Sequence, residues 1–184
     1  MNEIWKNYWP IYQNLEKEIQ RLSFDIQFCD KHAGVFSVKI TSLLSWISAE
    51  CEGSAKILAK RAGLKINGKK CFFNYMKNLS GKYKKMTSAE IEIIWPFQNF
   101  SQSKVKPFEN LAIGKNPVWF NAYNKVKHDR ENNIKDGNLK NVIDSLAGLF
   151  VLNILLRKEE IDNANFSRIF FSEKKKRLFR VCCA

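Results

Sequence analysis

The sequence predicts an all-α protein, an up-and-down helical bundle of four to five main helices with a small irregular insertion. Three observations carry that expectation. Apolar residues recur every three or four positions along several long stretches, the spacing that gathers them on one helix face. Glycine and proline are scarce, 8 and 4 in 184 residues, which disfavours a sandwich or barrel built on many turns. Large side chains abound, with 14 Phe and 5 Trp in a chain that is 45% hydrophobic, enough for a sizeable core. The length suits one domain over residues 1–184.

In chain order, residues 1–10 carry Trp5, Tyr8 and Trp9 ahead of Pro10 and read as a lead-in docked by its rings. From Ile11 to Phe28, the residues Ile11, Leu15, Ile19, Leu22 and Ile26 make the stripe of an amphipathic helix. Asp30 to Gly34 reads as a turn, with His32 a solvated loop residue. A second helix is expected from Ser37 to about Lys60, with Val38, Ile40, Leu43, Leu44, Ile47, Cys51, Ala55 and Leu58 on its buried side and Trp46 beside them. Ser37 suits its N-cap, because a hydroxyl there accepts an unpaired backbone N–H. Glu50 and Glu52 lie in this helix. Residues two apart point ~200° apart on a helix, so these carboxylates cannot share one acid–base site.

Residues 53–89 change character. They hold Lys56, Lys60, Arg61, Lys65, Lys69, Lys70, Lys77, Lys82, Lys84 and Lys85, and neither Asp nor Glu. Phe72, Phe73, Tyr75 and Tyr83 are interleaved. Gly63, Gly68 and Gly81 divide the stretch into turns around a short helix near Cys71 to Leu79. Basic residues mixed with aromatics suit phosphate neutralisation and base stacking; the alternative is a solvated crossover whose aromatics pack inward. Residues 61–115 as a whole form a basic crossover or insertion. Within them, Ala89 to Trp95 reads as a short strand or the extended end of a helix. Pro96 and Pro107 bracket a polar loop that Phe97, Phe100 and Phe108 tack to the body.

Asn116 is expected to cap a helix whose first residue is Pro117 and which runs to Glu131. The last strong helix spans Asn138 to Arg157, where Ala147 and Gly148 would let another helix approach closely. Residues 165–184 are a basic tail that reads as a frayed terminus.

Lys plus Arg total 31 against 18 acidic residues, a formal charge of +13. That excess attracts polyanions over about 8–10 Å at ordinary salt, although a Lys-, Asn- and Ile-rich composition is also what an AT-rich genome produces. The run from Leu146 to Leu156 is too short to span a bilayer, so no membrane partner is expected. The five cysteines are scattered and no export signal opens the sequence, which points to reduced thiols in the cytoplasm. No metal or cofactor is expected: Cys29 and His32 make half a zinc site with no second half. Nucleotide-binding glycine loops, a nucleophile elbow and a zinc-protease motif are all missing from the sequence.

The residues best placed for chemistry lie in the helix from Pro117. On a helical wheel Val118, Trp119, Ala122, Tyr123 and Val126 fall within ~140° and form its core stripe. Asn121, Asn124 and His128 gather within ~60° on another side. A histidine flanked by amides can be held in one tautomer and presented to a ligand. Lys125 borders that stripe and is placed to meet a phosphate, while Arg130 projects nearer the core side.

Trp119, Tyr123, Asn124, Val126, Lys127, His128, Asp129 and Arg130, followed by Leu146, Ala147, Gly148, Leu149 and Phe150, resemble the signature of bacterial HEPN-like proteins. The stretches Val35 to Ile40 and Ser48 to Lys56 are similar to the second helix of that family. The resemblance covers about half the chain. It implies an all-helical bundle, commonly a homodimer. It also implies a setting in RNA metabolism, phage defence or toxin–antitoxin pairs, with either RNA or a defence or antitoxin protein as partner. Many members are metal-independent endoribonucleases; others only bind.

Their catalytic motif is an arginine, four to six residues, then a histidine. Here Tyr123 stands in the arginine's place, with Asn124 after it and His128 at the matching spacing. In such cleavage a general base takes the 2′-hydroxyl proton while a cation steadies the developing phosphorane charge. Tyr123 cannot supply that cation. The resemblance therefore marks His128, Arg130 and Asn124 as catalytic candidates, with Trp119 and Tyr123 facing a second copy. Lys125 and Lys127, with Lys69, Lys70, Lys84 and Lys85 of the basic block, are the RNA-binding candidates. Binding or partner interaction is favoured over catalysis. The alternatives are a metal-independent RNase using His128, and non-catalytic nucleic-acid binding through residues 56–85.

Overall fold

The structure is a computed structural model that describes residues 5–65, 68–160 and 178–182. Two helices, α2 (Val38–Arg61) and α6 (Leu139–Glu160), form its centre, with α1 (Trp5–Asp25) and α4 (Val118–His128) packed around them. Ser37 caps α2 as expected, its Oγ accepting the Ile40 N–H at 3.2 Å. The predicted apolar stripe of α2 is buried from Ile40 to Leu58, but Val38, expected at its start, is exposed in the first turn, and Trp46 beside it is exposed too. By length and apolarity α6 could cross a membrane, but 89% of its apolar window is buried inside the bundle. Its composition is that of a core helix apolar nearly all round.

Direction follows from a few contacts. Thr41 Oγ1 donates to the Gly137 carbonyl at 3.3 Å, and Cys51 Sγ to the Ser145 carbonyl at 3.7 Å, so α2 and α6 run parallel. The link after α1 bonds to the start of α6, with Leu139 N–H donating to Val35 O at 2.9 Å. Tyr12 meanwhile packs on Phe150 at 5.4 Å between centroids, so α1 runs antiparallel to α6. Trp119 reaches Gly148, and Lys125 pairs with Asp136 at 3.2 Å, so α4 is antiparallel too. The up-and-down helical bundle is the observed architecture, and the 62–117 crossover joins α2 to α4.

The structure corrects the expected outline at four places. First, α1 begins at Trp5 and runs through Pro10, where a break was expected. Proline removes one hydrogen bond, but Trp9 stacks on Tyr12 at 4.9 Å and both rings are buried against α6. Second, the crossover, which holds the expected short helix as α3 (Phe72–Lys82), also contributes strands to two small sheets completed by segments outside it, where an irregular insertion was expected. In one, β1 (Phe28–Cys29) pairs in parallel with β3 (Gln98–Asn99).

Third, part of the tail expected to be frayed, residues 179–181, is a strand. β5 (Phe179–Val181) pairs with β2 (Ile91–Ile93), whose other edge holds β4 (Lys104–Val105), all antiparallel. The buried carboxylate of Glu16 accepts both Tyr12 O–H at 2.7 Å and Leu178 N–H at 2.8 Å, which fixes that strand to α1. Lys174, Lys175, Lys176 and Arg177 of the basic tail lie outside the described residues. Fourth, Phe108 is buried and Phe100 partly so, but Phe97 stays 55% exposed instead of tacking its loop down.

Two glycines set how close the helices come. A Cβ on Gly137 would lie 2.4 Å from Thr41 Oγ1, and one on Gly148 would lie 3.0 Å from Trp119 Cζ2. Gly137→Ala is expected to destabilise the fold by about 1–3 kcal/mol in urea melts, and Gly148→Ala by less, because only ring edges must shift. An unchanged midpoint for Gly137→Ala would show that α2 does not sit so tightly there.

Candidate nucleic-acid interface and the end of the fourth helix

The helix carrying the histidine is shorter than the sequence suggests. Asn116 does not cap it; Pro117 precedes its first residue, and the Pro117 carbonyl accepts the N–H groups of Phe120 and Asn121 at 3.1 Å. The helix stops at His128, where Asp129 takes a non-helical conformation (φ −152°, ψ 80°) and caps the single-turn α5 (Arg130–Asn133). The Asp129 carboxylate accepts Asn132 N–H at 3.3 Å, and Asn132 Nδ2 donates to both its oxygens. A carboxylate at a helix start satisfies an unpaired N–H and favours the break over continuation.

That break decides where the candidate residues fall. Trp119 and Tyr123, expected to face a second copy, lie in the protomer's own core at 1% and 6% exposure. Trp119 Nε1 donates to Pro107 O at 2.9 Å, and its ring meets Phe72 and Phe120 edge-on. Tyr123 packs on Phe120. Within the expected stripe Val118 turns out to solvent, and Phe120 takes its place inside. Arg130 is exposed, because the backbone turns before it.

His128 is exposed and makes no hydrogen bond or ion pair among the described residues. No amide holds its ring in one tautomer. Asn124 is half-buried one turn earlier. Lys125 is engaged with Asp136, and Lys127 Nζ lies over the Tyr123 ring at 5.4 Å from its centroid. With His128 they form the basic last turn of α4, where cations complement the helix dipole. His32, in its turn, has Nδ1 2.9 Å from the Gln27 carbonyl.

The basic block is arranged differently. Lys56, Lys60, Lys65, Lys69, Lys70, Lys77, Lys84 and Lys85 are all exposed, and none forms an ion pair among the described residues. Lys82 Nζ donates to the Ala62 carbonyl at 3.3 Å, which brings the C-terminal ends of α2 and α3 together. Lys60 and Arg61 lie in the last turn of α2, and Lys84 and Lys85 in the turn that follows α3. From Lys69 and Lys70 at its start, past Lys77, α3 carries the charge to that end over roughly 16 Å at 1.5 Å per residue. This is the axial length of about five nucleotides in one strand of a duplex.

The interleaved aromatics do not line this face. Phe72 and Tyr75 are buried, with Phe72 stacked on Phe120 at 4.0 Å, while Phe73 and Tyr83 are half-buried against the core. The expected base-stacking role is corrected on that ground. What remains is an exposed basic surface. Lys56, Lys60 and Lys77 join the four lysines chosen from sequence. Their participation depends on how the 62–71 link folds, which local spacing does not reveal.

The chain matches no family model, no curated protein and no solved structure. Its site is therefore argued from its own residues.

His128→Ala is expected to leave stability within about 0.5 kcal/mol, as for an exposed unpartnered side chain. Trp119→Ala is expected to destabilise by about 3–5 kcal/mol, because it empties a core position. Urea melts of the two variants check both; a large loss for His128→Ala would mean the α4–α5 turn depends on its ring.

Proposed function

We propose that this chain is a helical RNA-binding module that holds the sugar–phosphate backbone along α3 and the adjoining ends of α2 and α3, without cleaving it. One observation carries the reading: Lys56, Lys60, Lys65, Lys69, Lys70, Lys77, Lys84 and Lys85 are exposed, with no carboxylate within residues 56–85 and no ion pair among the described residues. Several carboxylates elsewhere are engaged with other cations: Glu90 with Lys104 and Lys106, Asp136 with Lys125, and Asp144 with Lys140. Unopposed ammonium groups gain most from a phosphate chain, since each contact releases condensed counterions. The HEPN-like resemblance agrees with RNA as the polyanion and with a defence or toxin–antitoxin setting.

RNA cleavage at the α4–α5 turn is a second reading. It is favoured by the exposure of His128 and Arg130 on either side of Asp129. Lys127, over the ring that replaces the motif arginine, supplies a cation close to that position. The buried Tyr123 and the unheld imidazole favour binding over this chemistry.

Fluorescence anisotropy with a labelled mixed-sequence RNA separates the readings. Wild-type affinity should fall steeply with salt. Reversing Lys69, Lys70, Lys84 and Lys85 to Glu should weaken binding roughly a hundredfold at low salt and reduce the salt slope by about 3 for a single strand. RNA should stay intact in EDTA. A flat salt response would sink the binding proposal. Cleavage in EDTA to 2′,3′-cyclic phosphate ends, lost in His128→Ala, would establish the second reading instead.

A further inference from the structure

Two exposed phenyl rings stand together at the end of α1. Phe24, in the last turn of α1, is 73% exposed, and Phe97, in the turn before β3, is 55% exposed. Their centroids are 5.6 Å apart with the planes tilted by 53°. Between the end of α1 and that turn lies an open cleft of about 510 Å³, to which Asp25, Gln27, Gln98 and Asn99 also contribute.

The walls are fixed to each other. Trp95 Nε1 donates to Ser23 Oγ at 2.9 Å, and the Trp95 ring meets Phe97 edge-on at 5.8 Å. Just beyond, β1 and β3 pair with Phe28 opposite Gln98. The rings are therefore held by structure on both sides and pay little ordering entropy when a ligand arrives.

The charge of the cleft is opposite to that of the chain. No lysine or arginine lines it, although the chain holds 31 of them. Its single ionisable lining group is Asp25, which is exposed and has no ion pair among the described residues. Aromatic faces attract cations through the ring quadrupole, and a carboxylate beside them adds a charge-assisted hydrogen bond for a guanidinium. The same carboxylate opposes a phosphate, so this cleft is not an extension of the RNA surface.

We propose that the cleft formed by Phe24, Asp25 and Phe97 is a docking site for an arginine side chain presented by a partner peptide. The guanidinium stacks on the exposed rings and donates to Asp25, while the amides of Gln27, Gln98 and Asn99 meet the peptide backbone. The site is independent of RNA binding and stands or falls separately from it.

The test is an amide NMR titration of the full chain with the peptide acetyl-Gly-Arg-Gly-Arg-Gly-amide. A matched peptide carrying citrulline, which keeps the shape and removes the charge, is the control. The arginine peptide should shift the amides of residues 23–27 and 97–99 and bind about tenfold more tightly than the citrulline peptide. Asp25→Asn and Phe97→Ala should each weaken it about fivefold or more. Both side chains are exposed, so their spectra should remain those of the folded protein. Equal binding of the two peptides, shifts confined to other residues, or no shift at millimolar peptide would each overturn the proposal. So would a nucleoside monophosphate binding these residues more tightly than the arginine peptide.

Discussion

The fold depends on α6 and its lead-in being thin at two points. At Gly137 the absence of a side chain lets Thr41 come within hydrogen-bond reach of the backbone, so α2 starts level with α6. At Gly148 it lets the Trp119 ring lie flush on the helix, held by its bond to Pro107. Close packing of this kind tolerates no added methyl group without a shift elsewhere. Because Trp119 is fixed there, α4 must bury Ala122, Tyr123 and Val126 behind it and leave Lys125, Lys127 and His128 at the solvent end.

The same packing separates the molecule's charges. The start of α6 lies with the α4–α5 turn and the link after α1, where acids and bases are interspersed and Lys125 is neutralised by Asp136. At the other end of α2 the chain leaves the bundle through residues 62–89, which hold no acidic residue, and α3 returns to the end of α2 through Lys82. Its apolar side, through Phe72, Tyr75, Met76 and Leu79, is buried, so only lysines, polar groups and backbone remain outside. A buried aromatic face and an exposed basic one on the same short helix let the segment be structural and still present positive charge to solvent.

Much of the fold was legible because it rests on local patterns. The Ser37 hydroxyl, the three-and-four spacing along α2 and α6, and the small pair Ala147 and Gly148 each predicted what they do. The remainder required contacts distant in sequence. Continuation of α1 through Pro10 rests on Phe150, and the C-terminal strand on Glu16 and β2, more than eighty residues away in each case. The stop at Asp129 had a readable signal, an aspartate three residues before Asn132, but apolar periodicity across residues 118–126 masked it. Placing Trp119 and Tyr123 at an interface confused an apolar face with an exposed one. The aromatic cleft was invisible because its walls come from Phe24 and Phe97, which only the fold brings together.

The central claim is that RNA lies along the α2–α3 basic end and not at the α4–α5 turn. Photo-crosslinking of a 4-thiouridine-substituted RNA, followed by mass spectrometry of the attached peptides, tests it most directly. The account predicts cross-links within residues 56–85, including the segments around Lys60, Lys69, Lys77 and Lys84. Cross-links confined to residues 118–133, around His128, would contradict it.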